Sequence, residues 1–162
     1  LMPNRYLIKI FIPFLVFCSA SATADCFDRA GRYHGIDPDY LRAIAWQESR
    51  FKHNATNKNY DGSLDVGIMQ INTKTLKSIQ REYPGLTKER LIDEPCLNIF
   101  VGSMLLKRNF NAYGRRWLSV GMYNAGMSNK EKVIKNRYNY ASLINQHYRD
   151  LKAGNIQRVM ID

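Results

Sequence analysis

Histidine and cysteine are scarce in this sequence, and their spacing predicts no metal site. Its 162 residues include three cysteines and three histidines, and His34, His53 and His147 lie far apart in the chain. The sequence also lacks a glycine-rich phosphate loop and the glycine-flanked serine of the serine hydrolases. We therefore predict no metal and no cofactor, and we exclude nucleotide-dependent and serine-nucleophile chemistry.

Long apolar runs are absent too, and the one short run lies near the N-terminus. Residues 10–18 are apolar, well short of the roughly 18 residues that a membrane span requires. A basic region with Arg5 and Lys9 precedes this run, and the small residues 22–24 follow it. This order is typical of a secretory signal peptide. We expect a signal peptide over residues 1–24, cleavage at its end, and a periplasmic location.

Alternatives to this signal peptide fit the residues less well. A membrane anchor needs a longer apolar run. Lipid attachment at Cys18 needs a small residue before the cysteine, whereas Phe17 is bulky. The first residue, Leu1, is unusual, and Met2 is the expected start.

Acidic residues are few in comparison with basic ones. The chain has 24 lysines and arginines against 14 acids, a net charge of +10, and loss of Arg5 and Lys9 with the signal peptide leaves +8. Such a surface favours polyanions. Nucleic acid is one candidate partner and the cell wall, with its peptide carboxylates, is another. Export favours the wall.

The two cysteines beyond the signal peptide predict a disulfide. Removal of the signal peptide also removes Cys18, which leaves Cys26 and Cys96. An even pair in an exported chain is typically bonded. The bond would close a loop of about 70 residues and stabilise the fold by about 4 kcal/mol. Two free buried thiols are the alternative.

Turn signals and apolar periodicity divide residues 25–152 into helices with one polar interruption. Helices are predicted at 26–34, 38–48, from 73 to before Pro84, at 87–92, from Pro95 onwards, at 116–123 and at 138–151. The asparagine-rich stretch 53–66 contains an Asp-Gly pair that favours a small hairpin. Apolar residues cover most of the helix that starts at Pro95, which predicts a buried central helix. Residues 153–162 are expected to be a flexible tail.

Glu48 is placed where a carboxylate is unfavourable. It lies near the predicted C-terminal end of the second helix, which is the negative end of the helix dipole. Its neighbours Trp46 and Phe51 are apolar. Both effects raise the pKa of a carboxyl group and favour a protonated acid at neutral pH, as a glycosidase general acid requires. A solvated glutamate at a helix end is the alternative.

Four motifs give Glu48 a context. They are ESRF at 48–51, DVGIMQIN at 65–72, EPCLNIFVG at 94–102 and MYNAG at 122–126. In this order and spacing they resemble the lysozyme-like lytic transglycosylases of the soluble-transglycosylase (SLT) type. The opening at 25–51 resembles the small branch that accompanies type III secretion systems, type IV pili and conjugative transfer. The resemblance implies a mainly α, lysozyme-like α+β fold, with a helical domain around a buried central helix and a small β-ribbon.

The resemblance also implies roles for the residues that match its motifs. Glu48 matches the catalytic acid. The implied substrate-binding residues are Ser49, Gly67, Met69, Gln70, Tyr123, Asn124 and Tyr140. Ile68 replaces the usual leucine, the match of Tyr140 is loose, and we expect Asn98 to brace the cleft.

Four of these residues have structural alternatives. Met69 fits the core equally well, and Gln70 fits a buried amide with all its hydrogen bonds made. Tyr123 fits an aromatic packing residue, and Asn124 fits a helix C-cap before Ala-Gly.

The implied reaction cleaves the β-1,4 bond between N-acetylmuramic acid and N-acetylglucosamine. Glu48 protonates the bridging oxygen and then, as a base, activates the 6-hydroxyl of the muramic acid, which closes a 1,6-anhydro ring. Asp65 is a second catalytic candidate, since hen-type lysozymes place a carboxylate on such a ribbon, where it can stabilise a cationic transition state. The alternative for Asp65 is a turn-capping residue.

Other functions stay open at this point. A hydrolytic lysozyme would produce reducing ends, and a non-catalytic peptidoglycan-binding assembly factor would not need Glu48. A nucleic-acid binder would use the basic run Lys130, Lys132, Lys135 and Arg137, but export and the sugar-site motifs argue against it. We expect a monomer that binds peptidoglycan strands, with a secretion, pilus or conjugation component as a possible partner and no nucleic acid.

Overall fold

A computed structural model describes residues 24–162 of the protein. The predicted signal peptide, residues 1–24, lies outside the described residues except for its last residue. No helix within the described range is both long and apolar enough to cross a membrane.

Helices dominate the described chain, and a small sheet interrupts them once. The elements are α1 (Cys26–His34), α2 (Pro38–Ser49), β1 (Thr56–Lys58), β2 (Leu64–Val66), β3 (Ile71–Asn72), α3 (Thr73–Ile79), α4 (Lys88–Asp93), α5 (Pro95–Tyr113), α6 (Trp117–Ala125) and α7 (Glu131–Ala153). The mainly α fold with a small β-ribbon is therefore confirmed. The third strand was not predicted, because two residues are too few for an alternating pattern.

Capping residues set the ends of the first two helices. The Asp25 side chain caps α1, which ends at Gly35 with a φ of 64°. Asp37 caps α2, and Arg50 ends it in the left-handed region with a φ of 53°. Glu48 consequently occupies the last turn of α2, as predicted.

The sheet is antiparallel, with β2 between β1 and β3. Asp65 on β2 lies opposite Asn57 on β1 and Asn72 on β3. The next pair, Val66 and Ile71, is buried. Because side chains alternate between the two faces of a strand, burial of this pair fixes the register and leaves the polar trio on the opposite face.

The long helix α5 is central but less completely buried than predicted. Its buried apolar side chains are Ile99, Val101, Leu106 and Phe110. Leu97, Phe100, Met104 and Leu105 remain partly exposed. The first three line a shallow groove with Tyr33 and Tyr83, and Leu105 lines a second groove, described below. The apolar side chains of α5 thus line grooves as well as the core.

The last helix begins seven positions before the predicted start at Tyr138, since α7 starts at Glu131. Charged residues dominate its first two turns. They hide the apolar pattern on which the prediction depended.

Arg137 is buried, although the sequence grouped it with exposed basic residues. Its guanidinium donates hydrogen bonds to the carbonyl oxygens of Gly126 (2.6 Å) and Ser128. Close by, α6 and α7 cross at Gly121, where an added Cβ atom would lie 2.3 Å from the Arg137 carbonyl oxygen. Arg137 therefore holds the α6–α7 loop and is not part of an open basic face.

Residues 153–162 pack on the domain, which differs from the flexible tail that the sequence predicted. Ile156 is buried, and the Cys26 amide donates to the Ile161 carbonyl at 2.6 Å. Arg158 donates two hydrogen bonds, of 2.9 and 2.7 Å, to the Asp39 carboxylate. These partners lie more than 100 residues away in the chain, so no local pattern could reveal them.

The predicted disulfide between Cys26 and Cys96 is confirmed. It joins the first turns of α1 and α5, with Cα atoms 5.3 Å apart and a sequence separation of 70. The bond therefore links the N-terminal helix to the central helix.

We expect the double substitution Cys26→Ser/Cys96→Ser to lower the free energy of unfolding by about 4 kcal/mol, because it frees a long loop in the unfolded chain. Urea unfolding followed by circular dichroism measures the change, and reduced wild-type protein is the matched control. An unchanged unfolding midpoint in the double variant contradicts the expectation.

Candidate active site

A groove of about 840 Å³ runs between the sheet and helices α5 and α6. The residues that line it include Glu48, Asn59, Asp65, Gln70, Asn72, Tyr123 and Asn124. Both acids that the sequence singled out therefore face the same groove. A groove of this size with several converging polar groups can hold a ligand.

Glu48 is partly buried, and its carboxylate accepts a hydrogen bond from the Tyr140 hydroxyl. Burial raises the pKa of Glu48 from 4.5 to about 7, the negative charge of Asp65 adds to the increase, and the Tyr140 hydrogen bond opposes it. A large fraction of Glu48 is consequently protonated at neutral pH, so the group can act as a general acid.

Two tyrosines lie near this acid. Burial, together with the charge of Glu48, raises the pKa of Tyr123 and Tyr140 well above the ordinary value. Both hydroxyls thus remain donors. Tyr123 donates to the Met69 carbonyl at 2.9 Å, which joins α6 to the turn after β2.

The Asp65 carboxylate is held by two side-chain amides. Asn59 Nδ2 lies 2.9 Å from one carboxylate oxygen, and Asn72 Nδ2 lies 2.7 Å from the other. Both donors are side chains, whereas a turn-capping aspartate would accept a hydrogen bond from a backbone amide of the following turn. Asp65 therefore has a neutral amide donor on each oxygen, whereas Glu48 has one hydroxyl donor.

The turn after β2 is braced by Asn98 from α5. Its side chain donates to the carbonyls of Val66 (2.9 Å) and Leu91 (3.0 Å) and accepts from the Met69 amide (2.8 Å). Gly67 has a φ of 77°, and an added Cβ atom would lie 1.9 Å from Asn98 Nδ2. Only glycine fits there, and Asn98 braces the cleft as we expected.

Three of the predicted substrate-binding residues lie beneath the groove wall. Ser49 is buried and donates to the Ile68 carbonyl at 2.8 Å. The Gly67 backbone packs on Asn98, and the Met69 side chain is fully buried, which matches its core alternative. These residues shape the wall from behind.

The other predicted binding residues reach the groove or the acid. Gln70 lines the groove while its amide donates to the Ala55 and Gly67 carbonyls, so it is also the fully bonded amide of the alternative. Asn124 lines the groove and is not the helix cap, because Gly126 caps α6. Tyr140 contacts the groove acid directly.

The sequence did not single out several groove residues, among them Asn59, Asn72 and Arg108. Asn72 becomes visible only through strand register, which places it opposite Asp65, and Asn59 only through the loop after β1, which brings its amide to the same carboxylate. Arg108 extends the groove along α5 and forms a 2.9 Å salt bridge with Glu82.

A protein-family model described as "Transglycosylase SLT domain" matches residues 25–145. The curated relatives include the protein IpgF of Shigella flexneri, 41% identical over 88% of this chain and 88% of the relative. The invasion protein IagB of Salmonella typhimurium strain LT2 is 40% identical over 82% of this chain and 80% of the relative. An "X polypeptide" of Escherichia coli is 37% identical over 93% of this chain and 86% of the relative.

A solved structure has a similar fold. It is an X-ray structure of an inactive mutant of the lytic transglycosylase Slt from Pseudomonas aeruginosa, with a TM-score of 0.61 and 21% sequence identity. The match covers 83% of this chain but only 25% of that one, so the chain spans about a quarter of the length of Slt.

The fold and the groove define a lysozyme-like domain. The chain belongs to the transglycosylase SLT domain family, and this membership places it in the peptidoglycan lytic transglycosylase class. The family resemblance, the fold class and the enzyme class that the sequence predicted are thereby confirmed.

The raised pKa of Glu48 predicts how stability depends on pH. Between about 4.5 and about 7, the native state keeps a proton that the unfolded chain has lost. The free energy of unfolding should therefore fall as pH rises through this window, by up to about 3 kcal/mol. Glu48→Gln cannot titrate and should lose this decrease.

Urea unfolding of the wild type and Glu48→Gln at several pH values measures the difference. The same pH dependence in both proteins contradicts a raised pKa at Glu48.

Proposed function

We propose that this enzyme cleaves the β-1,4 bond between N-acetylmuramic acid and N-acetylglucosamine and leaves 1,6-anhydro-muramic acid ends. The observation that carries the proposal is the Glu48 carboxyl in the groove, with a pKa raised to about 7. A non-catalytic wall-binding module has no use for a costly buried acid. This argues for catalysis over binding alone.

In the first step Glu48 acts as the general acid. Its proton passes to the bridging oxygen, the bond from this oxygen to the anomeric carbon breaks, and the N-acetylglucosamine leaves with a hydroxyl. Positive charge develops on the muramic acid ring, as in other glycosidic cleavages. The Asp65 carboxylate faces the same groove and stabilises this charge.

In the second step the Glu48 carboxylate acts as the base. It takes the proton of the muramic acid 6-hydroxyl, whose oxygen bonds to the anomeric carbon and closes the ring. The proton that Glu48 gave is thus restored, and the reaction consumes no water. The Tyr140 hydroxyl stabilises the carboxylate that exists between the two steps.

A hydrolytic, lysozyme-type reaction by the same enzyme is the second candidate, and Asp65 is the observation that favours it. A retaining hydrolase places a second carboxylate across the groove, and water then completes the reaction. The two candidates share the first step. They differ in the product, which carries an anhydro ring in one case and a reducing end in the other.

Glu48→Gln should abolish wall cleavage, because an amide cannot donate the acidic proton; we expect a loss of at least about 100-fold in rate. Purified peptidoglycan is digested with each protein, and the soluble muropeptides are identified by mass spectrometry. Anhydro ends from the wild type support the proposal, and reducing ends favour the lysozyme. Full activity in Glu48→Gln rejects both candidates.

Asp65→Asn should slow cleavage without abolishing it, because it removes the negative charge near the cationic transition state. We expect a decrease of about 10- to 100-fold in kcat. The same digestion assay with a time course measures it, and the melting temperature controls for folding. Undiminished cleavage removes Asp65 from the mechanism.

We further infer that the enzyme acts in the periplasm as a monomer and opens small gaps in the wall for a secretion, pilus or conjugation apparatus. The name of the similar invasion protein IagB supports the secretion apparatus among these. Recovery of the chain from the periplasmic fraction, shortened after Ala24, tests its export. A chain confined to the cytoplasm contradicts this location.

A further inference from the structure

Asp65 and Asn72 face each other across two neighbouring strands. They are direct partners in the β2–β3 register, and side chains of directly opposed residues lie within contact distance on one face. The Asn72 amide donates a hydrogen bond of 2.7 Å to one carboxylate oxygen of Asp65. The Asn59 amide, from the loop after β1, donates a hydrogen bond of 2.9 Å to the other carboxylate oxygen.

A second contact fixes the orientation of the Asn72 amide. Asn72 is the N-cap of α3, where its side-chain oxygen accepts the Lys74 backbone N–H at 2.9 Å. The oxygen is therefore committed to the helix, and only the NH₂ group can face Asp65. The same NH₂ group also lies 3.0 Å from Ser63 Oγ. The start of α3 thus aims a hydrogen-bond donor at the groove carboxylate.

The groups around Asp65 show why a neutral donor matters. The titratable groups Glu48 on α2 and Tyr123 on α6 line the same groove. Arg108, which lines the groove, is paired with Glu82, and Lys74, two positions after Asn72, is paired with Asp61. Among residues 24–162 no salt bridge reaches Asp65.

An amide donor orients a carboxylate without cancelling its charge, whereas a lysine or arginine would neutralise it. The full negative charge therefore remains available to a cationic transition state. It also remains available to act on Glu48, whose pKa the charge of Asp65 raises.

We propose that Asn72 is a positioning residue for the reaction. Its side-chain oxygen caps α3 and thereby orients its NH₂ group, which holds Asp65 as a charged, oriented carboxylate in the same groove as Glu48. This inference rests on the proposed function and on the part of Asp65 in it. It adds a residue that touches no reacting atom and acts only through Asp65.

The main test is Asn72→Asp. Aspartate has nearly the same shape and is an equally good N-cap, so α3 keeps its start. The donor to Asp65, however, becomes a second carboxylate. We expect kcat to fall about tenfold with KM within about twofold, because substrate contacts are kept. The acid limb of the pH–rate profile should move to higher pH by about one unit, since two carboxylates that share a site hold a proton more readily.

The matched control is Asn57→Asp. Asn57 is the other cross-strand partner of Asp65, but its amide donates to Gln70 and not to Asp65. This variant adds the same charge on the same face and leaves both donors of Asp65 in place. The proposal requires a clearly larger loss of kcat in Asn72→Asp. Equal losses in the two variants overturn it.

A double-mutant cycle with Asp65→Asn separates positioning from a purely structural role. If Asn72 acts through Asp65, Asn72→Asp has no further effect on kcat or on the acid limb once Asp65 is replaced. Effects that multiply in the double variant overturn the proposal. Should Asn72→Asp fail to fold, Asn59→Ala removes the other donor, and it must lower kcat and move the acid limb in the same direction.

The two levels of inference fail in different ways. A wild-type protein that releases no muropeptides contradicts the proposed function itself. An active wild type in which Asn72→Asp behaves like Asn57→Asp contradicts only the role of Asn72.

Discussion

The constraint that dominates the groove is one desolvated carboxyl group, that of Glu48. Burial at the end of α2 raises its pKa to about 7, and the charge of Asp65 acts in the same direction. Keeping an acid in such a place costs stability, which the rest of the fold must offset. The disulfide between Cys26 and Cys96 and the packed tail with Arg158 are among the contacts that do so. What the fold gains is a proton that is available at neutral pH.

The two carboxylates in the groove have different neighbours. Glu48 is largely desolvated and has a single tyrosine donor, whereas Asp65 has an amide donor on each oxygen. Pairs of acids with divergent environments are how one site supplies both an acid and a fixed negative charge. The turn between β2 and β3, braced by Asn98, sets the position of this pair relative to the groove wall. The two acids thus differ in their surroundings more than in their residue type.

Much of the site could be predicted because its motifs are contiguous. The segments around Glu48 and Asp65 carry their residue types at fixed spacing, and they reach the groove as expected. The prediction was weaker where the direction of a side chain decides its role. Met69 sits in a groove-lining segment but points into the core, and Arg137 belongs to a basic run but is buried under the α6–α7 loop. A pattern of residue types does not show which side chains of a turn or helix are buried by the rest of the fold.

By itself, the sequence determined the helices with clear caps, the disulfide partners, the family and the position of Glu48 at the end of α2, because each depends on local propensity or on a contiguous motif. Only the tertiary structure decided which residues surround that acid. Tyr140 reaches Glu48 from 92 positions away, and Asn72 reaches Asp65 only through strand register. The same holds for the tail, whose partners lie at the other end of the chain. Such contacts are long-range, and their free energy depends on packing that no local stretch of residues contains.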